Sequence, residues 1–284
     1  MEPISKIMAS LLTGLGKPLD LTSRCEICGE PIARQLEVVG TPYIVPSPCS
    51  CSREKWTAAD EADRKAKQLR KIERLNQYSL HSEDFYRCTF ENWERVPENE
   101  RYYQLGIRFI RNWEALKAQN IGLMIYGEPG NGKSYMSFCI ANRLLEKLVP
   151  VLVIKSIDLL DLIRRTYDSY GDMGEIEILD LIDQADLLVL DDLGAENLTS
   201  WGKATLYKVI DRRYRSNKML FITTNLKPED LRRKLIQEDG VSRIYDRIIG
   251  LCTPYKVAGE SRRRKEGMEK YKALERILGG DADE

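Results

Sequence analysis

The chain has 284 residues, 43% apolar and 31% charged, and its 44 basic and 44 acidic side chains cancel. That is the composition of an ordinary globular protein of one or two domains, without the basic surplus that would announce nucleic acid. No apolar run approaches the ~20 residues that span a bilayer, so no membrane partner is expected. The apolar stretch from Ile7 to Leu15 lacks a basic segment before it and an obvious cleavage site after it. It reads as a short amphipathic helix of a cytoplasmic protein rather than a signal peptide. Charge is nonetheless segregated. Asp172 to Asp192 holds eight acids and no base, and Lys203 to Lys218 holds six bases against one acid.

The first 55 residues are loop-rich, with prolines at 18, 31, 42, 46 and 48, and little there can form a core. Four of the seven cysteines fall in this segment: Cys25, Cys28, Cys49 and Cys51, spaced C-x2-C-x20-C-x-C. Four thiolates satisfy tetrahedral zinc, and Cys-x-x-Cys-Gly is a usual knuckle turn. A segment without a core needs such a staple. A redox dithiol is the competing reading, but no βαβ pattern surrounds the pair. His81, the only histidine, reads as a surface residue rather than a ligand. Cys88, Cys139 and Cys252 read as small buried residues.

From Arg53 to Tyr78 the chain reads as one helix free of Gly and Pro. Trp56, Ala59, Ala62, Ala66, Leu69, Ile72 and Leu75 recur along it at helical spacing. The rest of that rod is charged and solvated, so a linker helix over 56–78 is expected, followed by a globular domain over 79–284. In that domain Leu105 to Lys117 is an amphipathic helix. Ile121–Gly127, Val149–Lys155, Asp186–Gly194 and Lys218–Asn225 read as strands, the first a short apolar run ended by glycines, typical of a buried parallel strand. Helices are expected at Tyr135–Leu148, from a Ser156 cap to about Tyr167, at Lys203–Ser216 and at Pro228–Leu235. Alternation of strand and helix predicts an α/β fold, a parallel sheet covered by helices on both faces.

GEPGNGKS after the first strand matches G-x-x-x-x-G-K-[ST] in the strand–loop–helix setting the motif requires. The loop Gly127, Glu128, Pro129, Gly130, Asn131, Gly132, Lys133, Ser134 and Tyr135 can turn its backbone N–H groups onto phosphates at a helix N-terminus. Lys133 would bridge the β- and γ-phosphates of ATP, and Ser134 would ligate magnesium. In DLLVLDDLG two carboxylates stand at the carboxyl end of a buried strand, where open α/β sheets bind ligands. Asp191 would hold magnesium, and Asp192 would orient or deprotonate the attacking water. The next strand ends in Asn225, whose amide could reach the γ-phosphate or that water. Thr223 and Thr224 before it read as strand residues with satisfied hydroxyls.

GEPGNGKS, LLVLDDLG and ITTNL together resemble an AAA+ ATPase. More narrowly, they resemble the DnaC/DnaI-type replicative helicase loaders and the related IstB-type transposition ATPases. FYRCTFENW, VSRIYDRI and GESRRRK extend the resemblance over about Ser79 to Lys272. It implies that Arg247, or Arg243 one helical turn before it, reaches the γ-phosphate bound in a neighbouring subunit. It also implies that Arg263 is the second sensor, with Arg262 where an aromatic is usual, and that a full helical lid is lacking. DnaI-type loaders resemble the whole layout: a small zinc-binding domain over 1–55 that docks on the hexameric replicative helicase, a linker helix, then the ATPase. The resemblance further implies self-association into an ATP-dependent spiral around single-stranded DNA, with the basic helix Lys203–Arg215 as candidate contact. IstB-type ATPases, not typically built with such a module, imply instead a transposition helper acting on DNA and a transposase. A nucleotide-switched interaction protein is the reading from another class.

Overall fold

The computed structural model describes residues 20–80, 82–170, 172–259 and 261–278. The expected helix at Ile7–Leu15, His81 and the acidic tail lie outside them. The chain divides into two units between Ala66 and Lys67. In the first, β1 (Ala33–Val38) pairs antiparallel with β2 (Thr41–Pro46), Ala33 opposite Pro46 and Val38 opposite Thr41. The two-residue connection Val39-Gly40 has φ of 51° and 76°, the left-handed pair that matches strand twist in a tight hairpin. The proline-rich segment read as loop therefore contains a hairpin. Pro42 and Pro46 stand opposite Glu37 and Ala33 in a two-stranded sheet, whose strands are both edges and tolerate a missing donor.

The first unit continues into α1 (Ser50–Asn76), and the division falls within this helix. Of the apolar stripe read from the sequence, only Ile72 and Leu75 are buried, whereas Trp56 is 64% exposed. The second unit then runs α2 (Glu83–Arg87), α3 (Glu100–Arg111), α4 (Trp113–Ala118), β3 (Gly122–Tyr126), α5 (Lys133–Glu146), β4 (Val151–Lys155), α6 (Ser156–Tyr170), α7 (Asp172–Gln184) and β5 (Leu187–Asp191). After these come α8 (Ser200–Arg215), β6 (Met219–Thr224), α9 (Pro228–Leu235), α10 (Arg243–Leu251), β7 (Cys252–Lys256) and α11 (Arg262–Leu278).

The second unit's five strands are parallel, in the order β4-β5-β6-β3-β7. Successive buried side chains along them alternate between two cores. Met124, Leu152, Ile154, Leu188, Leu190, Leu220 and Ile222 face one core, with Ile163, Ile182, Val209 and Ile248 of α6, α7, α8 and α10. Leu123, Ile125, Val151, Val153, Leu187, Val189 and Phe221 face the other, with Phe109, Trp113, Met136 and Ile140 of α3, α4 and α5. Both faces are covered, which is why these strands read as continuous apolar runs rather than alternating ones.

Four expectations are corrected. The helix read at Leu105–Lys117 is two helices broken at Asn112, where φ is −101° and ψ is 19°. Helix α7 and the edge strand β7 were not read at all. Ser156 begins α6, but its hydroxyl does not cap the helix; its single proton is shared between the Asp192 carbonyl (3.2 Å) and Glu196 (3.0 Å). Fourth, the basic helix proposed as a DNA contact, α8, has three of its five cations ion-paired within the chain. Lys208 pairs with Glu175 at 2.7 Å, Arg212 with Asp180 and Asp183, and Arg215 with Asp211 at 2.7 Å. Lys203 donates to the Ile236 carbonyl, and Arg213 is wholly buried. Three of the eight segregated acids, Glu175, Asp180 and Asp183, thus meet two of the bases, Lys208 and Arg212, between α7 and α8.

Candidate functional site

The loop between β3 and α5 is left-handed at Gly130 and Gly132, with φ of 85° and 90°, and Gly127 has φ of 153°. A side chain at Gly127 would put Cβ 2.4 Å from the Val257 carbonyl oxygen, and one at Gly130 would put it 2.2 Å from Ser261 Oγ. The backbone can curl this tightly only without those carbons. Lys133, 4% exposed, opens α5, and its Nζ donates to the carbonyls of Gly127 (2.9 Å) and Glu128 (2.8 Å) and to Asn131 Oδ1 (3.2 Å). Asn131 Nδ2 in turn donates to the Val257 carbonyl at 3.0 Å. Burial draws the Lys133 ammonium below the ordinary lysine value; Asp192, Asp191 and Glu128 oppose that shift, and Arg263 adds to it. Loop lysine, both carboxylates and Arg263 thus share one electrostatic neighbourhood.

Asp191, 2% exposed, ends β5. Burial pushes its carboxyl above the usual carboxylate range, while hydrogen bonds from Thr223 and Ser134 pull it back. The Thr223 hydroxyl lies 2.6 Å from Asp191 Oδ1. A buried carboxylate held beside Ser134, at a glycine cradle and a helix N-terminus, fits a magnesium-bound triphosphate: the amides and Lys133 would meet phosphate, and Ser134 and Asp191 would meet the metal. Asp192 follows in the left-handed region at φ 55°, half-buried. Strand β6 lies between β3 and β5, so exposed Asn225, just past its end, stands between the phosphate loop and the aspartates. Tyr135, the last residue of the motif stretch, donates from its hydroxyl to the Thr89 carbonyl at 3.4 Å.

The arginines divide. Arg247 is held within its own subunit, its Nε 2.9 Å from Asp211 and its guanidinium 4.7 Å above the Tyr214 ring. Arg243, 46% exposed at the side chain, pairs with Asp239 and donates to Gln237. Arg262 pairs with Glu94 while its backbone N–H donates to the Gly130 carbonyl at 2.9 Å, which ties α11 to the phosphate loop.

Among the described residues this architecture leaves no helix long and apolar enough to cross a membrane. Residues 54–270 match the IstB-like ATP binding protein family. The chain belongs to that family.

The IstB-like chain is 27% identical to the replicative helicase loader DnaI of Bacillus subtilis over 209 residues, 70% of this chain and 66% of DnaI. It is 28% identical to the replicative helicase loader DnaC of Escherichia coli K12 over 193 residues, 67% of this chain and 73% of DnaC. The crystal structure of the DnaC helicase loader covers 62% of this chain with a TM-score of 0.53 at 21% identity, a likeness of fold. This IstB-like protein is thus an AAA+ ATPase homologous to the DnaC and DnaI loaders.

The family match begins at residue 54, so the cysteines lie outside it. Cys25, Cys28, Cys49 and Cys51 bring their four sulfurs within 4.8 Å of one another. Cys51 Sγ lies 3.5 Å from Cys25, 3.2 Å from Cys49 and 3.5 Å from Cys28. Tetrahedral zinc at ~2.3 Å from each thiolate sets sulfurs roughly 3.8 Å apart, so this donor set fits the metal. The backbone N–H groups of Cys28 and Ile27 lead in pulling the Cys25 thiol down to about 6, the knuckle geometry that favours thiolate. The Cys51 thiol, hydrogen-bonded to Cys49, Cys28 and Cys25, is pushed up instead. Cys88, Cys139 and Cys252 are buried, as expected.

Sequence reading missed Thr223 as a partner of Asp191, and also Ser156 and Glu196 behind Asp192. A threonine in a buried strand signals nothing by itself, and GAENLT reads as loop. Only the packing of β6 and α6 beside β5 makes these side chains part of the site.

Proposed function

We propose that this protein is an ATP-dependent loader of a hexameric DnaB-type replicative helicase onto single-stranded DNA. The observation that carries the reading is a four-cysteine unit standing ahead of an AAA+ core homologous to DnaC and DnaI. In this reading residues 1–55 hold zinc and dock on the helicase, 56–78 link, and 79–284 bind nucleotide. ATP with magnesium supplies the phosphoryl bond whose cleavage resets the assembly. Lys133 and the loop amides hold the β- and γ-phosphates; Ser134 and Asp191 hold the metal; Asp192 orients the attacking water, with Asn225 beside it.

Arg263 senses the γ-phosphate from the same subunit. A second arginine comes from a neighbouring subunit, so hydrolysis depends on assembly and is slow in the isolated protein. Arg243 and Arg247 are the candidates for that role, each ion-paired within its own subunit, Arg243 the more exposed at 46% of its side chain against 36%.

With Lys208, Arg212 and Arg215 of α8 already ion-paired, the DNA contact is placed at the helix's N-terminal end. Trp201 is 39% exposed there, with the Arg164 guanidinium 5.6 Å from its ring. An exposed aromatic with an adjacent arginine suits base stacking without sequence preference, worth roughly 1–3 kcal/mol per base. Trp201→Ala is expected to weaken binding of labelled single-stranded DNA about tenfold with ATP affinity retained; unchanged DNA affinity contradicts the placement. The loader role itself is tested by capture of the purified replicative helicase. Capture of a transposase in place of the helicase would favour the transposition-helper alternative.

A further inference from the structure

Beyond β5 the chain makes a turn that the backbone alone does not favour. Asp192 sits at φ 55°, a conformation that a non-glycine residue keeps only when its surroundings enforce it. They do so at every backbone polar group from Asp192 to Gly194. The Asp192 N–H donates to Thr223 Oγ1 at 2.9 Å, and its carbonyl accepts from Ser156 Oγ at 3.2 Å. Leu193 donates to the Thr223 carbonyl at 2.9 Å and accepts from Thr224 Oγ1 at 2.6 Å. The Gly194 N–H donates to Glu196 Oε2 at 3.2 Å, and its carbonyl accepts from Lys234 Nζ at 2.6 Å.

Two of these ties meet at one side chain. Glu196 Oε2 accepts from Gly194 and also, at 3.0 Å, from the Ser156 hydroxyl that reaches the Asp192 carbonyl. Glu196 is 8% exposed and Ser156 1%. Glu196 Oε1 has no hydrogen-bond partner among the described residues. Its two donors are neutral, a hydroxyl and an amide. Burying a carboxylate on neutral donors with one oxygen unpartnered costs stability rather than adding to it, so its place here calls for another reason.

We infer that Glu196 and Ser156 are positioning residues for hydrolysis, cross-tying the ends of β4 and β5 so that the Asp192 carboxylate is held toward the phosphate loop. The inference rests on the reading of Asp192 as the group that orients the attacking water. Glutamine at 196 can still accept from both donors, whereas alanine leaves the Gly194 N–H and the Ser156 hydroxyl without that acceptor and frees the turn.

The test is single-turnover ATP hydrolysis and equilibrium binding of a fluorescent ATP analogue, both on the full chain, for Glu196→Gln, Glu196→Ala, Ser156→Ala and Asp192→Asn. Glu196→Ala should slow hydrolysis at least about tenfold with analogue affinity within about threefold, because a loss confined to the chemical step leaves binding untouched. Glu196→Gln should stay within about threefold of the unaltered rate, which a group acting through its charge would not. Ser156→Ala, which removes one hydroxyl, should slow hydrolysis at least about threefold, and it decides the matter should Glu196→Ala not fold. An unaltered rate in Glu196→Ala, or in Ser156→Ala where only that variant folds, overturns the inference. So does a loss in Glu196→Gln as deep as in Glu196→Ala, which would make Glu196 itself the charged reacting group. Asp192→Asn separates the two claims. If it hydrolyses normally, the role of Asp192 fails and the positioning role with it; if it is inactive while Glu196→Ala is not, the positioning role alone fails.

Discussion

Arg213→Ala is expected to destabilise the protein by roughly 3–5 kcal/mol, the usual cost of breaking a buried charged network. Arg213 is wholly buried. Its Nη1 donates to the carbonyls of Ile182 (3.1 Å) and Ala185 (2.7 Å), and its Nη2 to those of Asp186 (3.3 Å) and Met219. One guanidinium on α8 therefore closes the end of α7 and the entries to β5 and β6. Burial draws it down to about 10, with Asp183 and Asp186 pulling it back up, so its charge is retained near neutrality. Alanine would leave those carbonyls short of donors around a cavity. Lysine should do little better, because an ammonium cannot reproduce a planar fork spread over four acceptors. Urea denaturation followed by far-UV circular dichroism reads the result. A loss below about 1 kcal/mol would mean that the carbonyls find other partners.

Metal removal is the second large effect expected. Among the described residues of the first unit, Ala33 and Cys49 are the only apolar side chains buried, so no hydrophobic core holds the hairpin and knuckle in place. Structural zinc sites contribute about 10–16 kcal/mol of apparent binding free energy in isolated peptides, far more than this segment can draw from packing. Cys49 and Cys51 stand at the start of α1, where the helix dipole favours thiolate. Glu30 accepts from the Ser50 N–H at 2.6 Å and links the knuckle to the same turn. Stripping the metal from the full chain with a chelator should open residues 20–49 to protease and leave nucleotide binding by the second unit unchanged. A metal-free protein whose first unit resists protease as before would contradict the zinc assignment.

The parts of the fold that were legible share a cause. Strands β3, β4, β5 and β6 are buried on both faces, so they announce themselves as apolar runs, and the glycines of GEPGNGKS mark the turn after β3. The site followed from those runs, because ligands gather at the carboxyl ends of parallel strands. What escaped lacks such a signature. Helix α7 is acidic at Glu175, Glu177, Asp180 and Asp183, and its apolar Ile178, Leu181 and Ile182 become meaningful only against the sheet. Strand β7 is five residues long with Pro254 inside it and lies at a sheet edge, where a missing donor is tolerated.

Charge misled for a related reason. A sequence shows where acids and bases lie along the chain but not what they face. In α8, Arg213 turns into the interior and Lys208 and Arg212 pair with acids of α7, while Trp201 and Arg164, 37 positions apart in sequence, are brought together only by the fold.

We propose that this AAA+ ATPase acts on a replicative helicase through a metal-stapled N-terminal segment. The most direct measurement is co-elution of the full chain with a purified hexameric replicative helicase from the same cell, with and without ATP, beside a variant carrying Cys49→Ser and Cys51→Ser. The account predicts a stable complex with the unaltered protein, and its loss in the cysteine variant while nucleotide binding persists. Failure of the unaltered protein to bind the helicase in either nucleotide state, or full binding by the cysteine variant, would contradict it.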